Sequence, residues 1–195
     1  MRPAESLTKQ EARALYLDRR MQLPETERLR LSADLLTQFR RIAFPPLKVI
    51  HVYQPILAKK EVDTGPFIRH LEALFPELTL VVPRVSGATD LEHLVLDAGT
   101  FLSTSAWGIP EPLEGVRVSP EEIDMVLVPL LIFDQKGFRV GYGKGLYDRF
   151  LAQCRPNVLK IGLSLFEPPS HLQDRGEFDV PLSIGVTPTQ LYEFV

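Results

Sequence analysis

Apolar positions along the chain switch repeatedly between a helical and an extended period. Thr8 and Glu11 have the form of a capping box, and the helix they open is expected to run to about Met21. Pro24 fits the first turn of a second helix, whose Leu29, Leu31, Leu35, Leu36 and Phe39 make one apolar stripe before Pro45 and Pro46 end it. LKVIHVY then reads as a strand. TGPFIRHLEALF places Phe67, Ile68, Leu71, Leu74 and Phe75 at helical spacing, and LTLVV follows as a second strand, completing a βαβ unit. DMVLVPLLIF reads as one further buried strand and VLKIGLSL as another, with a helix between them that ends near Cys154. This order predicts a single-domain α/β fold of three layers, a mostly parallel sheet with helices on both faces.

Composition narrows the partners. At 195 residues, 45% hydrophobic and 24% charged, the chain has ordinary globular proportions and enough length for one sizeable core over residues 1–195. A formal net charge of -3 argues against a general nucleic-acid binder, which needs a basic face to displace counterions. The single cysteine, Cys154, allows no internal disulfide, and the four histidines show no metal-binding spacing. The charged amphipathic start and the lack of a long apolar run lead us to expect a cytoplasmic protein without membrane contact; separately, a monomer is expected. The 17 prolines gather in connections such as IPEPLEG and FEPPSH, expected to be ordered loops.

The chemistry concentrates in GYGKGLYDRF, residues 141–150, where three alternate glycines and a lysine precede a helix. Glycines let a backbone approach a ligand, and the first N–H groups of the helix lack intrahelical partners, which suits an anion. A plain structural turn explains the same residues. Neither GxxxxGK[ST] nor GxGxxG is satisfied, because Leu146 stands at the third glycine of the latter. Ser164 in GLSLF lacks the second glycine of a nucleophile elbow and reads as a strand residue; Cys154 reads as packing.

VPLLIFDQKGFRVGYGKGLYDRFL resembles the signature of the 5-formyltetrahydrofolate cyclo-ligases, also called 5,10-methenyltetrahydrofolate synthetases, which commonly reads VPGLAFDxxGxRLGxGxGYYDxxL. KQEAR near the start, EVDT at 61–64, PR at 83–84, WGIPEP at 107–112 and DVPL at 179–182 follow in the family's order. The resemblance implies an enzyme that uses ATP and Mg²⁺ to close 5-formyltetrahydrofolate to 5,10-methenyltetrahydrofolate, by phosphorylating the formyl oxygen and then expelling phosphate.

Roles carry over by matching position. Lys9 and Arg13, four apart on one helix face, resemble the family's triphosphate contacts, as do Arg139 and Lys144, the catalytic basic pair, with Gly141, Gly143, Gly145 and Tyr147 of the loop. Asp148 and Asp179 resemble its Mg²⁺ ligands. Glu61, Tyr53, Gln54, Trp107, Tyr142 and Leu146 fall at folate contacts, a carboxylate suiting pterin N–H donors and an aromatic ring its flat face. Without the resemblance, Lys9 and Arg13 read as a solvated helix face, Asp148 as a first-turn residue favoured by the helix dipole, and Glu61 and Trp107 as structural. Three residues depart from the signature: Leu130 replaces a glycine and is expected to narrow the crevice, Leu146 replaces a tyrosine, and Ser183 replaces an aspartate. They support the alternative of a folate- or nucleotide-binding protein without turnover. A sugar-phosphate isomerase or acyl-transfer enzyme on a related sheet is the third reading.

Overall fold

A computed structural model describes residues 6–87, 90–105 and 108–194. Among them are four α-helices and eleven strands, seven of which belong to one mixed, mostly parallel sheet. The chain forms two compact units: the first comprises Met1–Ile42, Pro129–Lys144 and Lys160–Val195, the second Ala43–Val128 and Gly145–Leu159.

The second unit holds the βαβ element. Strand β1 (Val49–His51) pairs in parallel with β2 (Thr79–Ser86), with Val49 opposite Thr79, and helix α3 (Gly65–Leu74) crosses between them. Phe67 and Leu71, one turn apart on α3, are its buried residues, as the apolar spacing requires. An antiparallel strand β3 (Asp90–Val95) flanks β2. The segment expected to be loop around IPEPLEG contributes β5 (Pro110–Pro112), paired with β4 (Leu102–Thr104). Strand β6 (Met125–Val128), buried at every position, pairs in parallel with β1. The Asp124 carboxylate before it accepts from the Lys48 and Val49 N–H groups at 2.8 and 2.9 Å, fixing where β1 begins. Helix α4 (Leu146–Gln153) ends at Cys154, as expected.

In the first unit, α1 (Lys9–Gln22) opens with the expected Thr8–Glu11 capping box. Pro24 caps α2 (Glu25–Phe39) from outside its first turn, a one-residue correction. DMVLVPLLIF is not one strand. Pro129 supplies no N–H, β6 stops before it, and Leu131 donates instead to the Val140 carbonyl at 2.8 Å. That bond begins a hairpin of β7 (Ile132–Phe133) and β8 (Arg139–Val140). Strand β9 (Leu159–Leu163) pairs in parallel with β10 (Ile184–Val186), which pairs antiparallel with β11 (Leu191–Glu193). Ser164 lies just beyond β9, its hydroxyl donating to the Phe166 carbonyl at 2.8 Å.

Gly162 of β9 lies opposite Gly185 of β10. A Cβ on Gly185 would sit 2.4 Å from Phe133, and one on Gly162 would sit 2.5 Å from Leu130. The sheet is bare of side chains there, so the hairpin and the segment entering it lie directly against the backbone. The Leu130 side chain is therefore buried over Gly162, and its replacement of the signature's glycine is absorbed by packing.

Candidate active site

The glycine loop begins where β8 ends, and the hairpin that carries it is held by Asp134. Buried completely, this carboxylate accepts from Lys136 N and Phe138 N through Oδ1, at 2.9 and 3.0 Å, and from Leu172 N through Oδ2 at 3.0 Å. Gly137 closes the turn with φ 82°, a conformation that suits glycine, and Phe194 occupies the space a Cβ would need.

Helix α1 meets the loop from the side. Arg13 Nε donates to the Gly141 carbonyl at 2.9 Å, and a Cβ on Gly143 would lie 3.1 Å from Arg13 Nη2. Gly143 has φ 87° and lets the arginine lie against its backbone. At the start of the same helix, Lys9 Nζ donates to Asp179 Oδ2, which also accepts from Gly176 N at 2.7 Å. The Lys9 N–H bonds Asp174 Oδ1 at 2.6 Å. Arg139, at the head of β8, donates to the Val180 carbonyl. The first unit thus gathers Lys9, Arg13 and Arg139 on two segments, the glycine loop and residues 176–180. Lys144 is exposed within the loop.

Tyr142 turns the other way. Its ring packs on the cluster of Ala12, Tyr16, Leu131, Ile132, Val140 and Leu172, and its hydroxyl accepts from Arg20 Nη2 at 2.5 Å. Ser183, at the signature's aspartate, bonds within the sheet, its hydroxyl accepting from Lys160 N at 3.1 Å.

The remaining expected positions lie in the second unit. Gly145 (φ 66°) caps α4, so Leu146, Tyr147 and Asp148 form its first turn. Asp148 is half-buried there. Glu61 is 5% exposed and accepts from Ile56 N at 2.7 Å, holding the 55–60 segment closed. The Tyr53 hydroxyl donates to the Val62 carbonyl at 3.2 Å, and the Tyr53 carbonyl accepts from Thr64 at 3.3 Å. Gln54 is half-buried beside them. Trp107 lies outside the described residues.

A cavity of about 190 Å³ opens between β3 and α4, lined by Leu91, His93, Leu146, Arg149 and Phe150. Behind it, His51 is fully buried with its ring centroid 5.1 Å from that of His93, and Phe150 stacks on His93 at 4.0 Å. Neither His51 nitrogen has a hydrogen-bond partner among the described residues. Burial pushes the His93 imidazole down to about 4. Burial, with a smaller repulsion from His93, holds His51 well below the usual range. Both rings fold neutral. Below pH 6.5 the unfolded chain takes up protons first, so stability present above that pH is lost as it falls, for His93 until about 4. One such histidine costs about 2–3 kcal/mol at pH 4.5. Urea titrations between pH 7.5 and 4.5 are expected to show wild type losing about 2–3 kcal/mol more than His93→Leu; equal losses would remove His93 from the acid response.

Sequence reasoning passed over Arg20, Asp134 and the His51–His93 pair. Arg20 follows Arg13 by seven residues, two helical turns on one face, and Asp134-x-x-Gly137 is a turn signal; both were visible. Nothing in the sequence paired the histidines, which sit on strands made neighbours of β2 only by folding.

Residues 5–164 match the model of the 5-formyltetrahydrofolate cyclo-ligase family. The chain belongs to that family. An Aquifex aeolicus 5,10-methenyltetrahydrofolate synthetase solved by NMR superposes with a TM-score of 0.74 at 33% identity, over 95% of this chain and 92% of its own. The 5-formyltetrahydrofolate cyclo-ligase of Escherichia coli K12 is 30% identical over 80% of this chain and 87% of its own. That of Mycoplasma pneumoniae is 28% identical over 92% of this chain and 99% of its own. No helix among the described residues is long and apolar enough to cross a membrane.

Proposed function

We propose that the protein catalyses the ATP-dependent cyclisation of 5-formyltetrahydrofolate to 5,10-methenyltetrahydrofolate, releasing ADP and phosphate. The observation that carries this reading is the assembly of Lys9, Arg13 and Arg139 around the glycine loop and residues 176–180, in a chain of this family.

The formyl oxygen of the substrate is amide-like and a weak nucleophile toward a polyanion. Alignment and charge neutralisation therefore carry the first step more than a strong base does. Lys9, Arg13, Arg139 and Lys144 neutralise the phosphates, while the N–H groups of Gly141, Gly143 and Gly145 approach their oxygens, with Tyr147 beside the nucleotide. The phosphoryl group passes to the formyl oxygen and ADP leaves. The side-arm nitrogen of the folate then attacks the formyl carbon, its N–H proton and the phosphate leave as the C–O bond to phosphate breaks, and the methenyl bridge remains. Glu61, with Tyr53, Gln54, Trp107 and Leu146, is assigned to the folate, whereas Tyr142, whose ring packs on the α1 cluster and whose hydroxyl bonds Arg20, is assigned to the loop itself. Glu61 accepts from its N–H donors, and burial strengthens that contact.

Among the described residues, no group of three or more His, Cys, Asp or Glu gathers as a metal cage. Asp148 and Asp179 are single carboxylates, the donor set that suits Mg²⁺ arriving with phosphate oxygens and water. Mg²⁺ bound there would withdraw charge from the transferred phosphoryl group. Asp179 pairs with Lys9, and on this reading binding of the nucleotide exchanges that pair for contacts of both residues with the ligand.

The test is the absorbance of the conjugated methenyl product from 5-formyltetrahydrofolate with purified protein, Mg²⁺ and ATP. Product that requires both protein and ATP is expected. Binding of both ligands without product would favour a protein that has kept the site and lost turnover.

A further inference from the structure

Arg20 has no place in the chemistry above, yet it is 4% exposed in the last turn of α1. Its guanidinium bonds the Leu130 carbonyl through Nη1 at 3.3 Å and the Tyr142 hydroxyl through Nη2 at 2.5 Å, while Nε has no partner among the described residues. The charge also faces the Tyr142 ring, 6.0 Å from its centroid. None of these partners is a carboxylate. Burying a cation against a carbonyl and a phenol is expensive, and an apolar residue of similar volume often serves stability as well or better. Folding alone does not account for it.

What Arg20 holds does account for it. Leu130 lies just before the hairpin and Tyr142 lies in the glycine loop, so this side chain joins the two ends of the β7–β8 unit. Arg13, seven residues earlier on the same face of α1, bonds the loop at Gly141. One helix therefore grips adjacent loop residues by two arginines, one through main chain and one through a side chain. We infer that Arg20 is a positioning residue of the nucleotide site. Through Tyr142 it fixes the glycine loop, and its charge, which bonds no anion among the described residues, is balanced when polyphosphate occupies the loop. This inference rests on the reading that the loop binds ATP.

The consequence is a linkage between nucleotide and stability. A ligand anion relieves the buried charge, so MgATP is expected to raise the melting temperature of wild type more than that of Arg20→Met. Arg20→Met, which keeps much of the volume, should fold and should raise KM for ATP by roughly tenfold or more, the scale of a lost charge-assisted hydrogen bond. KM for 5-formyltetrahydrofolate should stay within about twofold, on the view that the contact serves one ligand only. Tyr142→Phe removes the acceptor oxygen and keeps the ring, so it tests the contact even where Arg20→Met does not fold. Arg20→Lys, which keeps charge but loses the forked geometry, should restore the thermal response to MgATP more than it restores KM. The double variant should be no worse than Arg20→Met, since both changes break one contact.

Wild-type KM for ATP and an undiminished thermal shift in both Arg20→Met and Tyr142→Phe would overturn the inference. Equal loss of ATP and folate use in Tyr142→Phe would overturn it too, by giving Tyr142 a general role. Absence of any MgATP shift or turnover in wild type would instead overturn the ATP reading beneath it.

Discussion

Lys9→Ala is expected to lower kcat/KM for ATP by about two orders of magnitude, as loss of one preorganised charge at a transferring phosphoryl group does. The geometry gives this variant a second consequence. Lys9 Nζ and Gly176 N share Asp179 Oδ2. Removing the lysine leaves that oxygen, among the described residues, with a single neutral donor. Under the proposed exchange, Lys9 leaves Asp179 for a phosphate oxygen, and Asp179 becomes a metal ligand. Lys9→Ala should then weaken ATP use at every Mg²⁺ concentration. Asp179→Asn should weaken it in a way that added Mg²⁺ partly restores. Steady-state ATP kinetics over a Mg²⁺ series separate the two. Wild-type kinetics in Lys9→Ala would confine Lys9 to its ion pair, and identical Mg²⁺ dependence in both variants would remove Asp179 from the metal.

Much of this frame was legible in the chain. The Thr8–Glu11 capping box, the stripe on α3 and the glycine that caps α4 are local signals, and each element forms where its own residues favour it. Signals failed where pairing, not local pattern, decides. DMVLVPLLIF has uninterrupted apolar character, yet Pro129 cannot donate to a ladder and Leu131 pairs with Val140 instead. Strand β3 escaped notice because DLEHLV alternates weakly and lies in antiparallel pairing beside β2. In the site, Lys9 and Arg13 were visible as one helix face. The Lys9–Asp179 pair spans 170 residues and is a product of the fold alone. Arg20 was passed over because sequence shows a helix face but not what covers it.

Asp134→Ala is expected to be the most destabilising single change in the first unit, by about 3–6 kcal/mol, because three backbone N–H groups lose their acceptor in a fully buried place. A domain of this size has roughly 5–15 kcal/mol in all, so the variant should unfold near physiological temperature. The three donors come from two segments. Lys136 and Phe138 belong to the hairpin turn, and Leu172 lies in the 165–175 connection, which also meets the segment leading into α1, where Leu7 N donates to the His171 carbonyl at 3.1 Å. Loss of the carboxylate therefore frees the hairpin from the segment packed on it, and with it Arg139 and the glycine loop. Asp134→Asn keeps one carbonyl oxygen and turns an amide toward the remaining donors. It should sit between wild type and alanine in urea denaturation, with activity recovering on cooling. That recovery would separate it from Lys9→Ala, whose defect should persist at every temperature at which the protein is folded. A melting temperature within a few degrees of wild type for Asp134→Ala would mean that water replaces the carboxylate at all three donors, and the hairpin would then owe its position to Gly137 and the Phe133 contact with Gly185.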